Sequence, residues 1–109
     1  MLFRSAVDGM VKFFSSEHNA LLHLIATIMV ISLAVVTHVS KLEVIFLVWA
    51  TGFVWMAELF NTAIEKIMDY ISIERTPEIK FIKDVAAAAV LVAAIVAFIT
   101  GCIIFIPKL

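Results

Sequence analysis

The sequence predicts an all-α membrane protein: an N-terminal amphipathic surface helix followed by three transmembrane helices. Three observations carry this. The chain has 109 residues of which 64% are hydrophobic, well above the half expected of a soluble domain. Three runs, residues 20–39, 42–64 and 85–106, each reach the ~20 apolar residues needed to cross the hydrocarbon. Helices are required there, because lipid offers no partner to a free backbone amide. The formal net charge of −1 gives no field for nucleic acid. One domain, residues 1–109, accounts for the whole length.

Residues 1–18 come first. Within "LFRSAVDGMVKFFSS", Phe3, Val7, Met10 and Phe14 recur at helical spacing, and Arg4, Asp8, Lys12 and Ser15 fall largely on other faces. That pattern predicts a helix lying in the membrane interface, as an anchor or as a lid beside a site. Gly9 lowers its helix propensity and is expected to mark close packing against a neighbour. The run at 20–39 is too long for a cleaved signal peptide and follows an amphipathic stretch, not a short basic one.

The link around residues 37–41 is short, so the first two spans are antiparallel neighbours. The second link, "SIERTPEIKFIKD", is polar and contains Pro77 as a breaker. Arg4, Lys12, Lys66, Arg75, Lys80 and Lys83 lie on one side of the membrane, and only Lys41 and Lys108 on the other. The bias of basic residues puts the N-terminus and the second link in the cytoplasm. In the third span Ala89, Ala93, Ala97 and Gly101 repeat every four residues. Such a face lets helix backbones approach in lipid and puts this helix at the centre of the bundle or of an oligomer. Cys102 lies in an apolar run and reads as a small packed hydrophobe.

The chemistry is concentrated in "WMAELFNTAIEKIMDYI". At about 100° per residue, Glu58, Asn61, Glu65 and Asp69 share an arc of roughly 80° and a stripe about 16 Å long. The stripe runs from lipid depth at Glu58 to the aqueous interface at Asp69. Insertion scales put an acid at the centre of a membrane helix near +3 kcal/mol, so such a group is normally functional or paired. A carboxylate deprived of water at this boundary suits a general base, Glu58. A carboxylate further out suits Mg²⁺, which takes a few oxygen ligands together with phosphate. Glu17, just before the first span, and Lys83 with Asp84, at the start of the third, lie at similar depth. Lys83 can neutralise phosphate; Asp84 can serve ribose, a metal or Lys83 itself, and the two taken alone read as an interfacial ion pair. Glu17 alone reads as a helix-end charge. Carboxylates, metal and a cation around one pocket suit phosphoryl transfer, which depends on positioning and charge neutralisation.

Neither a phosphate-binding G-x-x-x-x-G-K-[ST] loop nor a protein-kinase signature occurs. His18, His23 and His38 lack metal-ligand spacing with one another and default to packing or solvent exposure. Trp49 reads as lipid-facing or core, and Trp55 as part of the interfacial aromatic belt.

"AELFNTAIEKIMD" followed by "IKDVAAAAVLVAAI" resembles the bacterial integral-membrane diacylglycerol kinase and undecaprenol kinase family. The shared pattern is E-[LF]-x-N-[ST]-A-[IV]-E-x-x-x-D, then K-D-x-x-[AS]-[AG]-A-V-L. Upstream, Ser5, Ala6, Gly9, Glu17, Asn19 and His23 extend the resemblance over almost the whole chain. It implies a homotrimer of three-span subunits, ATP with Mg²⁺, and a lipid carrying a primary hydroxyl. By position, Glu58 resembles the base, Glu17 and Glu65 the metal-binding acids, and Asn61, Asp69, Lys83 and Asp84 the remaining polar positions of a nucleotide site shared between subunits. Leu21 departs from the family, many of whose members carry a basic residue there. The short lead before the surface helix and the "FIPKL" ending favour undecaprenol slightly over diacylglycerol.

Two rival functions follow from the same residues. A small proton-coupled transporter would also place an acid such as Glu58 in the membrane, but it usually needs four spans and acids near the midplane. A non-catalytic scaffold would use the small-residue face and tolerate loss of the acidic stripe.

Overall fold

The computed structural model describes every residue except Ile73 and Arg75. Arg75, one of the basic residues behind the expected orientation, therefore lies outside the described residues. Four helices follow in order: α1 (Leu2–Ser16), α2 (His18–Thr37), α3 (Lys41–Ile71) and α4 (Pro77–Phe105), closed by a 3₁₀ turn at Ile106–Lys108. The last three are long and apolar enough to cross a membrane. With 31 and 29 residues, α3 and α4 exceed the ~20 needed for a crossing, so both continue beyond it.

Local chemistry sets each boundary. Glu17, in extended conformation, ends α1 and begins α2. At the far end of α2, His38 adopts a left-handed conformation (φ 54°) and its amide bonds back to the Ala34 carbonyl. Histidine is among the few residues that tolerate this region. Ser40 then starts α3 with a capping box: its hydroxyl accepts from the Glu43 amide and its own amide donates to Glu43 Oε1 at 2.8 Å. Lys108 Nζ reaches the same Glu43 carboxylate at 3.1 Å, fastening the chain end to the start of α3.

The second connection is shorter than the sequence predicts. Residues 77–84 are not link but the first turns of α4. The Thr76 hydroxyl accepts the Ile79 amide at 3.2 Å and Pro77 occupies the opening turn. Proline at this place starts a helix, since its missing N–H would have had no partner anyway.

The most extensive pairing is between α3 and α4. At the end where α2 gives way to α3, Leu47, Ile104 and Phe105 form the core, with Val30, Ala34 and Val39 against it. Elsewhere the large side chains of α2–α4 face outward, Ile28, Val48 and Phe98 among them, as expected where lipid or another protomer is the neighbour. The face α4 uses differs from the four-residue repeat in the sequence. Ala86, Ile104 and Phe105 are buried, Ala93, Ala97 and Gly101 are half-buried, and Ala89 is exposed. A four-residue repeat drifts by about 40° per step on a helix, so Ala89 rotates away from the half-buried side on which Ala97 and Gly101 lie. Gly9 likewise marks no close approach: a Cβ there would meet nothing within 4 Å.

A polar stripe on the third helix and its partners

The polar stripe of α3 is buried at its inner end by its own chain. Glu58 is 2% exposed and Asn61 6%, the only buried polar residues among those described. Asn61 Nδ2 donates to Glu65 Oε1 at 3.0 Å, one turn along. Its Oδ1 is buried without a hydrogen-bond partner. Turning the amide over would sacrifice the bond to Glu65, so an acceptor oxygen is left buried and unpaired. Native proteins rarely leave such an atom unpaired, and an orphan acceptor commonly marks a place for a ligand, water or ion.

Glu58 faces α2. Its Oε2 lies 3.4 Å from His23 Nε2. Sequence reasoning assigned His23 no role. The available signal was depth: His23 sits about 8 Å inside the start of α2 by helical rise, within an otherwise apolar stretch.

Glu17 approaches α3 beside the stripe. Its carboxylate lies 3.7 Å from Lys66 Nζ. It borders a groove lined by Gly9 and Phe13 of α1 and by Leu59, Thr62 and Lys66 of α3. Consecutive helical residues point about 100° apart, so one chain brings Glu17 to the flank of Glu65. Among the described residues, no three His, Cys, Asp or Glu side chains gather to hold a metal.

At the outer end of the stripe the ion pairs are not those the sequence implies. Lys83 Nζ bonds Asp69 Oδ1 at 2.7 Å, joining α4 to α3. Asp84 Oδ2 is bound instead by Lys80 at 2.6 Å. The expected Lys83–Asp84 pair is therefore not formed, because neighbours in a helix do not face each other while residues four apart do. Asp69 lies beyond the apolar run, and the hydrogen bond from Lys83 holds its carboxyl below the usual aspartate range, helped by the charges of Lys83 and Lys66.

Trp55 is turned inward and does not join an aromatic belt. Its indole Nε1–H donates to Thr27 Oγ1 at 2.9 Å. Its ring packs against Phe14 (5.4 Å between centroids), His23 (5.9 Å) and Phe13 (6.2 Å). It thereby ties α1, α2 and α3 together beside Glu58. Trp49, by contrast, is exposed and packs edge-on against Phe53. Trp55→Ala is expected to cost about 3 kcal/mol, read as a lower unfolding temperature in detergent. Trp55→Phe keeps the ring contacts and is expected to lose only the bond to Thr27, about 1 kcal/mol.

The prokaryotic diacylglycerol kinase family matches residues 4–105. A diacylglycerol kinase of Synechocystis sp. is 35% identical over 108 residues, covering 98% of this chain and 62% of that protein. The chain thus spans under two thirds of that relative's length. An undecaprenol kinase of Bacillus subtilis is 36% identical over 94 residues, covering 86% of this chain and 76% of that protein. A diacylglycerol kinase of Escherichia coli K12 is 34% identical over 80 residues, 73% of this chain and 66% of its own.

Proposed function

Because this chain belongs to the prokaryotic diacylglycerol kinase family, we propose that it is a membrane lipid kinase. It transfers the γ-phosphoryl group of ATP to the primary hydroxyl of undecaprenol or diacylglycerol, yielding the lipid monophosphate. The observation that carries this reading is Glu58, a carboxylate 2% exposed inside an apolar helix, at the head of a polar stripe whose Asn61 holds an unpaired acceptor. Burial of that kind is costly unless a function requires it.

Glu58 takes the hydroxyl proton of the lipid. The freed oxygen forms a bond to the γ-phosphorus as the bond to the bridging β–γ oxygen breaks. ADP leaves with that electron pair, and Glu58 afterwards returns its proton to water. Lys83 offsets phosphate charge, and Asn61, Asp69 and Asp84 contribute polar contacts to the nucleotide. The oxygen donors suit Mg²⁺: the carboxylates of Glu17 and Glu65 would hold it, and Asn61 Oδ1 is a further oxygen of the right kind. Mg²⁺ is commonly bound by one or two carboxylates plus phosphate and water, so a site with fewer than three acids from one chain is no obstacle. When bound, the ion supplies charge neutralisation at the transferring phosphate.

Glu17 lies on the flank of the stripe, which supports a homotrimer whose sites are completed by a neighbouring subunit. The basic residues place the N-terminus and the site on the cytoplasmic side, where ATP is available. Three candidate spans and a stripe at one end of α3 count against the transporter reading.

The test is purified protein in bilayers with labelled ATP, Mg²⁺ and a panel of lipid alcohols. Label is expected in undecaprenol or diacylglycerol. No transfer to any lipid hydroxyl removes the reading, and the alcohol that is labelled fastest names the substrate.

A further inference from the structure

We propose that His23 is the positioning residue of Glu58: its imidazole holds the carboxylate in one orientation. This rests on the kinase reading above. His23 Nε2 lies 3.4 Å from Glu58 Oε2. It is the one basic side chain within 4.0 Å of the Glu58 carboxylate among the described residues.

Around the pair, the nearest further charge on the same face of α3 is the Glu65 carboxylate, about two turns away. The face of α1 that reaches Trp55 carries Phe13 and Phe14. Along α3, Asn61 and Glu65 are engaged with each other. A cavity of about 80 Å³ beside the imidazole is bordered by Ala26 and Thr27 of α2, Thr51 and Trp55 of α3, and Ala97 of α4. An isolated carboxylate there would carry the full cost of a charge in a medium of low dielectric. A polar partner 3.4 Å away lowers that cost.

The imidazole packs against an aromatic ring, and the backbone of His23 is tied to the same ring through Thr27. Its ring lies 5.9 Å from the Trp55 ring, tilted by 58°. Its backbone carbonyl accepts the Thr27 hydroxyl at 2.8 Å, and the same hydroxyl oxygen accepts the Trp55 indole N–H. His23, Thr27 and Trp55 thus form a closed link between α2 and α3 with Glu58 at its edge. The terminal torsion of a glutamate is broad and poorly defined when free. An imidazole nitrogen beside Oε2 selects one orientation and leaves Oε1 to receive the hydroxyl proton. Support of this kind from a residue that does not touch the substrate commonly changes activity by roughly 10- to 100-fold.

Two measurements on the full chain in bilayers test this. The first reads the His23 imidazole ¹⁵N resonances in the wild type and in Glu58→Gln. Their displacement on loss of the carboxylate is expected, and unmoved resonances overturn the pairing whatever the protein catalyses. The second is kinetic. His23→Phe is expected to lower kcat by roughly 10- to 100-fold while KM for ATP changes by less than about twofold. His23→Gln, which keeps a donor, should recover most of the loss, and His23→Phe should add little in a Glu58→Asp background. Wild-type kcat in His23→Phe overturns the proposal. So does a Gln variant no better than Phe, since packing alone would then explain the site. Full activity of Glu58→Gln with displaced resonances would sink the base assignment, and His23's catalytic part with it, while leaving the pair intact.

Discussion

Replacing Glu58 by Gln is expected to reduce lipid phosphorylation by roughly 10²- to 10⁴-fold, the usual contribution of a positioned general base. The amide keeps the shape of the carboxylate and can still meet His23, so the loss reads proton acceptance and not packing. Stability is expected to move the other way or not at all. Glu58 is buried to 2% exposure within its own chain, and a neutral amide avoids what remains of an acid's insertion cost after His23 relieves part of it, which toward the end of a span is below the ~3 kcal/mol of a central acid. A variant that is inactive yet unfolds at an equal or higher temperature is the pattern of a site kept for function at the expense of stability. The measurements are transfer from labelled ATP and thermal unfolding in the same micelles. An active Glu58→Gln protein removes Glu58 as the base.

Glu17→Ala and Glu65→Ala are expected to raise the Mg²⁺ concentration for half-maximal activity, each by roughly 10-fold or more, with smaller effects on the lipid requirement. The reasons differ for the two residues. Glu17 now faces Lys66 at 3.7 Å, a pairing loose enough for a divalent ion to displace. Glu65 accepts from Asn61, so its removal also frees the Asn61 amide and is expected to be the more damaging change. Mixing the Glu58→Gln chain with the Glu17→Ala chain, at a Mg²⁺ concentration too low to support the Glu17→Ala chain by itself, provides the companion test of a shared site. Recovered activity in the mixture means that the two residues serve one centre from different subunits. Metal dependence unchanged in both single variants would overturn the metal assignment.

The elements were legible because local chemistry specifies them. Apolar runs of sufficient length became α2, α3 and α4, and the amphipathic lead became α1. The stripe was legible for the same reason: Glu58, Asn61 and Glu65 share a face of one helix whatever surrounds it. The misreadings fall where two elements meet. Pro77 was read as a breaker, yet after Thr76 it opens α4. Trp55 looked like a belt residue, yet its N–H finds Thr27 on another helix.

From the sequence alone came three helices long and apolar enough to cross a membrane, an amphipathic helix before them, and an acidic stripe along the second of the three. All are set by composition and by a period of 3.6 residues, which every helix carries within itself. The tertiary structure alone decided that Glu58 meets His23, that Asp69 takes Lys83 while Asp84 takes Lys80, and that Glu17 stands beside the stripe. Contacts between helices depend on their mutual rotation and offset, and no single helix encodes those. They emerge only when packing between helices selects which faces meet.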